Sequence, residues 1–165
     1  MNNPAIYAAA LLSFALLAVS VTAIADDEEL SPSDHLQAAV QGICPVSGNK
    51  LGEHGAPIKV KVGKQTLFLC CPGCAEGKID RQHWATIHAN FARAQGKCPV
   101  MKNPLPRNSK WTIVEGRIVY VCCRPCTRKI EADPKTYLAQ VDDYFAAWIR
   151  ASQQREAAGR QADRR

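Results

Sequence analysis

The hydrophobic and polar positions of the chain repeat one order of predicted elements twice. Residues 58–62 alternate apolar and polar side chains, which is typical of a half-buried strand, and a short turn separates them from a second predicted strand at 66–70. The same pairing returns at 111–114 and 117–121, again across a short turn. Each pair of strands predicts a β-hairpin.

A helical period follows each predicted hairpin. Apolar side chains spaced at i, i+3 and i+7 from Trp84 predict a helix over about residues 80–95. Asp133 followed by Pro134 is typical of a helix start, and the later apolar spacing extends this second helix to about residue 152. The sequence therefore predicts an α+β fold of two tandem small modules, each a hairpin followed by a helix.

The N-terminal segment is almost wholly apolar and ends in an A-x-A pattern, so residues 1–25 are predicted to be a secretory signal peptide. The alternative is an uncleaved N-terminal membrane anchor, since the apolar run is long enough to span a bilayer. In either case we expect the modules to be exported, to the periplasm or the medium. Residues 26–41 are predicted to be a polar linker with one short helical turn, capped by Ser33 or Asp34.

The cysteines divide the chain into the same two modules. Each half holds four of the eight, beginning with Cys-Pro-Val and ending with Cys-Cys-x-x-Cys where the predicted hairpin ends. This internal repeat places the first module at 42–96 and the second at 97–150, followed by a basic polar tail at 151–165. Units of about fifty residues usually need a metal, disulfides or a packed neighbour to supplement a small core.

Three chemistries remain open for these thiols, and metal binding is the first. Thiolates are soft donors; four suit tetrahedral zinc, and two or three suit Cu(I). A loop cysteine, a strand-end cysteine and a turn cysteine can converge on one ion, whereas the adjacent pair Cys70 and Cys71 diverge in extended chain, which leaves the fourth ligand of each site open. The candidate metal ligands are Cys44, Cys70, Cys71, Cys74, Cys98, Cys122, Cys123 and Cys126.

The second chemistry is a set of four disulfides. An even number of cysteines in an exported chain is typical of a disulfide framework, and the sequence does not choose among the pairings. The third is a redox Cys-x-x-Cys motif at 71–74 and at 123–126. Such a motif is expected within a βαβ unit, whereas a hairpin precedes it in both modules.

The cysteine pattern also resembles a known family. Cys44, Cys70 and Cys74, and their counterparts in the second half, follow the arrangement of TRASH-type metal-binding modules, relatives of the YHS domains, with an aromatic residue on the strand before the second cysteine. The longer first spacing and the paired cysteines depart from that pattern. The resemblance implies small treble-clef-like folds that act in heavy-metal sensing or trafficking.

The charge distribution and the absence of known motifs argue against two other functions, nucleic-acid binding and catalysis. The net charge is +6, and five arginines crowd the C-terminal end against only two acidic residues. No basic stripe interleaved with aromatics runs through the modules, so no nucleic-acid partner is predicted. No phosphate loop, catalytic triad order or metalloprotease motif is present, and we expect no enzyme activity.

These observations predict an exported protein that binds zinc or copper through cysteine thiolates in two repeated modules. It would act as a carrier, a buffer or an accessory of metal handling, and its partners would be the metal ion and a membrane or envelope metal-handling protein. The alternatives are a disulfide-stapled interaction module outside the cytoplasm and a thiol–disulfide oxidoreductase. The sequence leaves the oligomeric state and the identity of the metal open.

Overall fold

A computed structural model of the chain describes residues 29–164, so the predicted signal peptide lies outside the described residues. The elements follow in the order α1 (Pro32–Gln41), β1 (Ile58–Val62), β2 (Gln65–Leu69), a single 3-10 turn (Pro72–Cys74), α2 (Arg81–Gln95), β3 (Lys110–Val114), β4 (Arg117–Val121), α3 (Arg124–Ala132) and α4 (Pro134–Ala162). The architecture is α+β, as predicted. None of the helices between residues 29 and 164 is both long enough and apolar enough to cross a membrane.

Both predicted hairpins are present, with their strand bounds shifted by at most one residue. β1 pairs antiparallel with β2, and β3 with β4, so that each hairpin is a separate two-stranded sheet. The two hairpins touch where the amide of Thr66 donates a hydrogen bond to the carbonyl oxygen of Gly116 at 2.7 Å. Gly116 has a φ of +82°, and a Cβ there would lie 2.5 Å from the Thr66 hydroxyl oxygen, so only glycine fits this contact.

The single helical turn predicted within residues 26–41 is wrong in length, because Pro32–Gln41 form a ten-residue helix, α1. The cap is Ser31 and not Ser33 or Asp34. The Ser31 hydroxyl accepts from the Asp34 amide, and the Asp34 carboxylate accepts from the Ser31 amide, which is a complete capping box.

Two further segments contain more helix than the sequence predicts. Arg124–Ala132 forms α3, which begins at the second Cys-x-x-Cys, whereas the matching residues of the first half form only the 3-10 turn. The predicted cap of the last helix is confirmed, because the Asp133 side chain accepts from the Thr136 amide. That helix, α4, continues to Ala162, well past residue 152, so most of the predicted polar tail is helical.

The buried side chains form two clusters of unequal size. The main core joins residues of α2, β4, α3 and α4, with Ile87, Val121, Ile130 and Val141 fully enclosed. A smaller cluster lies under the first hairpin. Its buried members are Cys44, Leu69, Cys70 and Cys74.

Candidate metal centres

The first centre contains three thiols delivered by three different segments. Cys44 lies in the loop after α1, Cys70 directly follows β2, and Cys74 ends the 3-10 turn. Their Sγ atoms all lie within 4.8 Å of one another, and all three residues are buried. This is the convergence of loop, strand end and turn that the sequence predicts.

The second centre repeats this arrangement. Cys98 follows α2, Cys122 follows β4, and Cys126 lies in the first turn of α3. Their Sγ atoms also lie within 4.8 Å of one another, with Cys98 and Cys126 buried and Cys122 partly exposed. We call the two sets the first triad and the second triad.

The remaining two cysteines lie beside the triads. The Sγ atom of Cys71 is 3.7 Å from that of Cys74 and 3.9 Å from that of Cys70. The Sγ atom of Cys123 is 3.0 Å from that of Cys126. Both are placed to supply a fourth sulfur, and their assignment as ligands stays a prediction.

The loop that carries the first thiol of each triad is a tight turn closed by backbone hydrogen bonds. The amide of Cys44 donates to the carbonyl of Asn49 at 2.8 Å, and the amide of Gly48 donates to the carbonyl of Cys44 at 3.0 Å. The second loop has the same bonds at the equivalent residues, and there the position of Gly48 is occupied by Lys102, which has a φ of +59°. Each loop therefore holds its cysteine in a fixed backbone frame.

Hydrogen bonds from this frame favour a thiolate at the loop cysteine. Burial raises the pKa of Cys44, but hydrogen bonds from the backbone and hydroxyl of Ser47 and from the backbone of Cys70 outweigh it and bring the pKa to about 6. For Cys98, hydrogen bonds from the backbone of Cys122 and neighbouring loop residues likewise outweigh burial and lower the pKa.

A second thiol of each triad resists ionisation. Burial, followed by the neighbouring thiols, raises the pKa of Cys74 to about 12. The same causes raise the pKa of Cys126. A second thiolate a few ångströms from the first is repelled unless a cation lies between them, so each triad is suited to ionise fully only with a bound metal ion.

Two buried glutamines, not singled out by the sequence analysis, position the strand-end thiols. The side-chain amide of Gln41 donates to the carbonyl of Phe68 at 2.7 Å and accepts from the Phe68 amide at 3.0 Å. Gln95 makes the same two bonds to Tyr120, at 2.7 and 2.9 Å. Each glutamine thus ties the helix before the loop cysteine to the strand residue two positions before the next cysteine of the triad. The signal was in the sequence, because Gln-Gly precedes x-Cys-Pro-Val in both halves.

One further residue at the first centre was missed. The hydroxyl of Ser47 lies 3.3 Å from the Sγ atom of Cys70. Met101 occupies the matching position in the second half and has 52% of its surface exposed. The two centres therefore differ at the third position after the loop cysteine, where the repeat of residue types breaks.

No cysteine is used for covalent cross-linking. All eight lie within the described residues, and all are free thiols. The four histidines also lie in this part of the chain, and none belongs to a triad. Sulfur is thus the donor that both centres offer.

Comparisons of the chain with protein-family models, curated proteins and solved structures found no match. The resemblance to TRASH and YHS modules stays a prediction carried by the cysteine pattern.

Proposed function

We propose that this chain is an exported metal-binding protein that holds one soft ion, zinc or copper, in each triad. It works as a carrier, buffer or accessory of metal handling rather than as an enzyme. The single observation that carries the proposal is the convergence of three thiols, from three separate segments, twice in the same chain.

The spacing of the sulfurs fits such an ion. Two thiolates bound at about 2.3 Å to a tetrahedral ion lie about 3.8 Å apart. The Sγ atoms of Cys70 and Cys74 are 3.7 Å apart, and those of Cys122 and Cys126 are 3.8 Å apart. The first centre supports a fourth sulfur ligand as well, because Cys71 lies at 3.7 and 3.9 Å from two members of the triad.

Duplication also favours binding over catalysis. A second copy of a site doubles the capacity of a carrier, whereas a reaction needs one site. Thiolates that hold an ion are protected within an oxidising compartment, since bound thiolates are not free to form disulfides. We propose that a membrane or envelope metal-handling protein exchanges ions with this chain.

Elemental analysis with a free-thiol count tests the proposal on protein purified from the exported fraction without a chelator. We expect about two ions per chain, and thiols that react only after chelation. Cys70→Ser and Cys122→Ser should each lower the metal content by the share of one module, because each removes one of the three converging sulfurs of its triad. Gln153→Ala, on the exposed part of α4, is the control and should retain both. Unchanged metal content in both cysteine variants would contradict the proposal.

The disulfide-stapled module is the first alternative. It predicts neither metal nor free thiols in the same assay. The free thiols of the structure do not favour it.

A thiol–disulfide oxidoreductase is the second alternative, and one observation in the second half favours it. Cys123 caps α3, its Sγ atom lies 3.0 Å from that of Cys126, and hydrogen bonds from the thiol and backbone of Cys126 lower the pKa of Cys123. Catalytic turnover in insulin reduction, lost in Cys123→Ser, would support this function. A metal-bound chain without turnover would contradict it.

A further inference from the structure

The second triad opens into a groove of about 960 Å³. Cys122 and Cys123 both form part of its wall, so an ion held by the triad is within reach of a molecule in the groove. Small-molecule sites typically have volumes of about 300–1,000 Å³, which places this groove at the upper end of that range. The full lining is Lys110, Trp111, Thr112, Cys122, Cys123, Arg124, Thr127 and Arg128.

The groove is cationic and has one aromatic wall. Lys110, Arg124 and Arg128 are exposed, and none of the lining residues is acidic. Trp111 is 46% exposed, and its ring is backed by His88 at a centroid distance of 4.9 Å. A ligand that matches this groove carries carboxylates that pair with the guanidinium groups. The rest of the ligand packs against the indole ring of Trp111.

The equivalent positions of the first half lack these cations. Counted from the strand-end cysteines and the hairpin register, Lys110 corresponds to Ile58, and Arg124 corresponds to Pro72. In the same alignment Arg128 corresponds to Glu76. Two nearly identical thiol triads therefore differ in the charge that surrounds them, and the first serves as an internal control for the second.

We propose, on the basis of the metal-binding function above, that the second triad receives its ion from a small thiol that bears carboxylates, as an anionic metal–thiolate complex. The carboxylates bind Arg124 and Arg128 while the body of the ligand packs on Trp111. The first triad makes no such distinction between donors.

The transfer is a ligand exchange without a change of oxidation state. A bond forms between the metal and the Sγ atom of Cys122, and the bond between the metal and the sulfur of the small thiol breaks. The proton released by the protein thiol passes to the departing thiolate. The groove accelerates this exchange by holding the incoming complex next to the acceptor sulfur.

A rival explanation assigns the cations to the triad itself, as compensation for the charge of its thiolates. The two explanations differ in their dependence on the donor. Compensation favours loading from every donor equally, whereas recognition of carboxylates favours only donors that carry them.

Time-resolved NMR of the full chain tests the inference, with amide signals near Cys70 and Cys122 reporting the rate at which each triad is loaded. Substoichiometric Cu(I) is supplied as its complex either with glutathione, which has two carboxylates, or with 2-mercaptoethanol, whose only other polar group is an uncharged hydroxyl. From glutathione, we expect the second triad to fill faster than the first by roughly tenfold, about the effect of one net charge-assisted hydrogen bond. From 2-mercaptoethanol, that lead should disappear.

Arg124→Gln combined with Arg128→Gln should abolish the lead with glutathione and change nothing with 2-mercaptoethanol. Lys61→Gln combined with Lys64→Gln removes two exposed cations from the first hairpin and is the matched control, which should retain the lead. An equal lead with both donors, or an unchanged lead in the arginine variant, would overturn this inference while leaving metal binding intact. Failure of both triads to load from either donor would overturn the proposed function itself.

Discussion

The two halves of the molecule present the same three thiols on very different supports. The second triad adjoins the main core, in which Cys98 and Cys126 pack with apolar residues of four helices and β4. The first triad supplies three of the four buried members of its own small cluster, with Leu69 as the fourth. A bound ion is thus an addition to the main core in the second half, whereas in the first half it would join three of the four buried members of a small cluster.

The segments after the strand-end cysteines show why the supports differ. In the second half Arg124–Ala132 is a full helix, and its residue Ile130 is completely buried in the main core. The first half has only the 3-10 turn, followed by an exposed stretch in which Lys78 takes the position of Ile130. The apolar anchor that fixes the second triad is therefore missing from the first.

Removal of the metal should produce the largest difference between the two hairpins. We expect a chelator to abolish amide protection in β1, β2 and the 3-10 turn, because their cluster loses the ion that joins its sulfurs. Structural zinc sites contribute about 10–16 kcal/mol of apparent binding free energy, so protection factors in the first hairpin should fall by about a thousandfold or more. β3 and β4 should keep most of their protection. Hydrogen exchange followed by mass spectrometry measures both hairpins in one sample.

The control for this experiment is the metal-loaded chain in the same buffer without the chelator. Equal loss of protection in both hairpins would show that the main core does not support the second triad. No loss in either hairpin would mean that neither cluster depends on an ion.

The parts of the fold that the sequence predicted share a strong local signal. The alternation in residues 58–62 and the Asp133–Pro134 helix start both depend on neighbouring residues, and both are confirmed. α1 was predicted only as a single turn because its helical face is small and partly polar, with Gln37 and Gln41 among its buried residues. Its stability depends on contacts with α2 and α4, which are distant in sequence and give no periodic signal.

The buried glutamines provide the second test of the comparison. Gln41→Ala and Gln95→Ala each leave a buried strand amide and carbonyl without a partner, and each should cost about 2–3 kcal/mol of unfolding free energy. Gln95→Ala should lower the global thermal midpoint by roughly 4–12 °C, because it acts on the main core. Gln41→Ala should act mainly on protection of the first hairpin.

Thermal unfolding of the metal-loaded chain measures the midpoint of Gln95→Ala. Hydrogen exchange measures the protection of the first hairpin in Gln41→Ala. Gln153→Ala is the exposed control for both. A Gln95→Ala midpoint equal to that of the control would rule out the positioning role of the side-chain amide.

The third and smallest expected effect concerns the position three residues after the loop cysteine. In a chain that carries Cys71→Ser, Ser47→Cys places a thiol where a hydroxyl now lies 3.3 Å from the Sγ atom of Cys70, and this thiol supplies a fourth sulfur to a tetrahedral zinc ion. We expect the zinc affinity of the first triad to rise about tenfold, which corresponds to ~1.4 kcal/mol. Met101→Cys, at the more exposed matching position, should leave the affinity of the second triad unchanged. Competition with a chromophoric chelator measures both, and an equal gain in the two variants would contradict the difference between the centres.

The candidate site was predictable as a set of cysteines but not as a geometry. The repeat identified all six triad members, because identical spacing in two halves is visible in the chain alone. The positions of Cys71 and Cys123 beside the triads depend on backbone direction after the strand ends, which the spacing does not fix. The cationic groove was also missed, because Lys110 and Arg128 are brought together only by the packing of α3 against β3.

X-ray absorption spectroscopy of the zinc-loaded full chain tests whether the triads are metal centres, because it counts the atoms bound to the ion. We expect a first shell dominated by sulfur, with three to four scatterers at about 2.3 Å per zinc. Cys70→Ser and Cys122→Ser should each halve the amount of zinc that gives this signal. A shell of nitrogen and oxygen, or of two sulfurs or fewer, would contradict the assignment of the triads as metal centres.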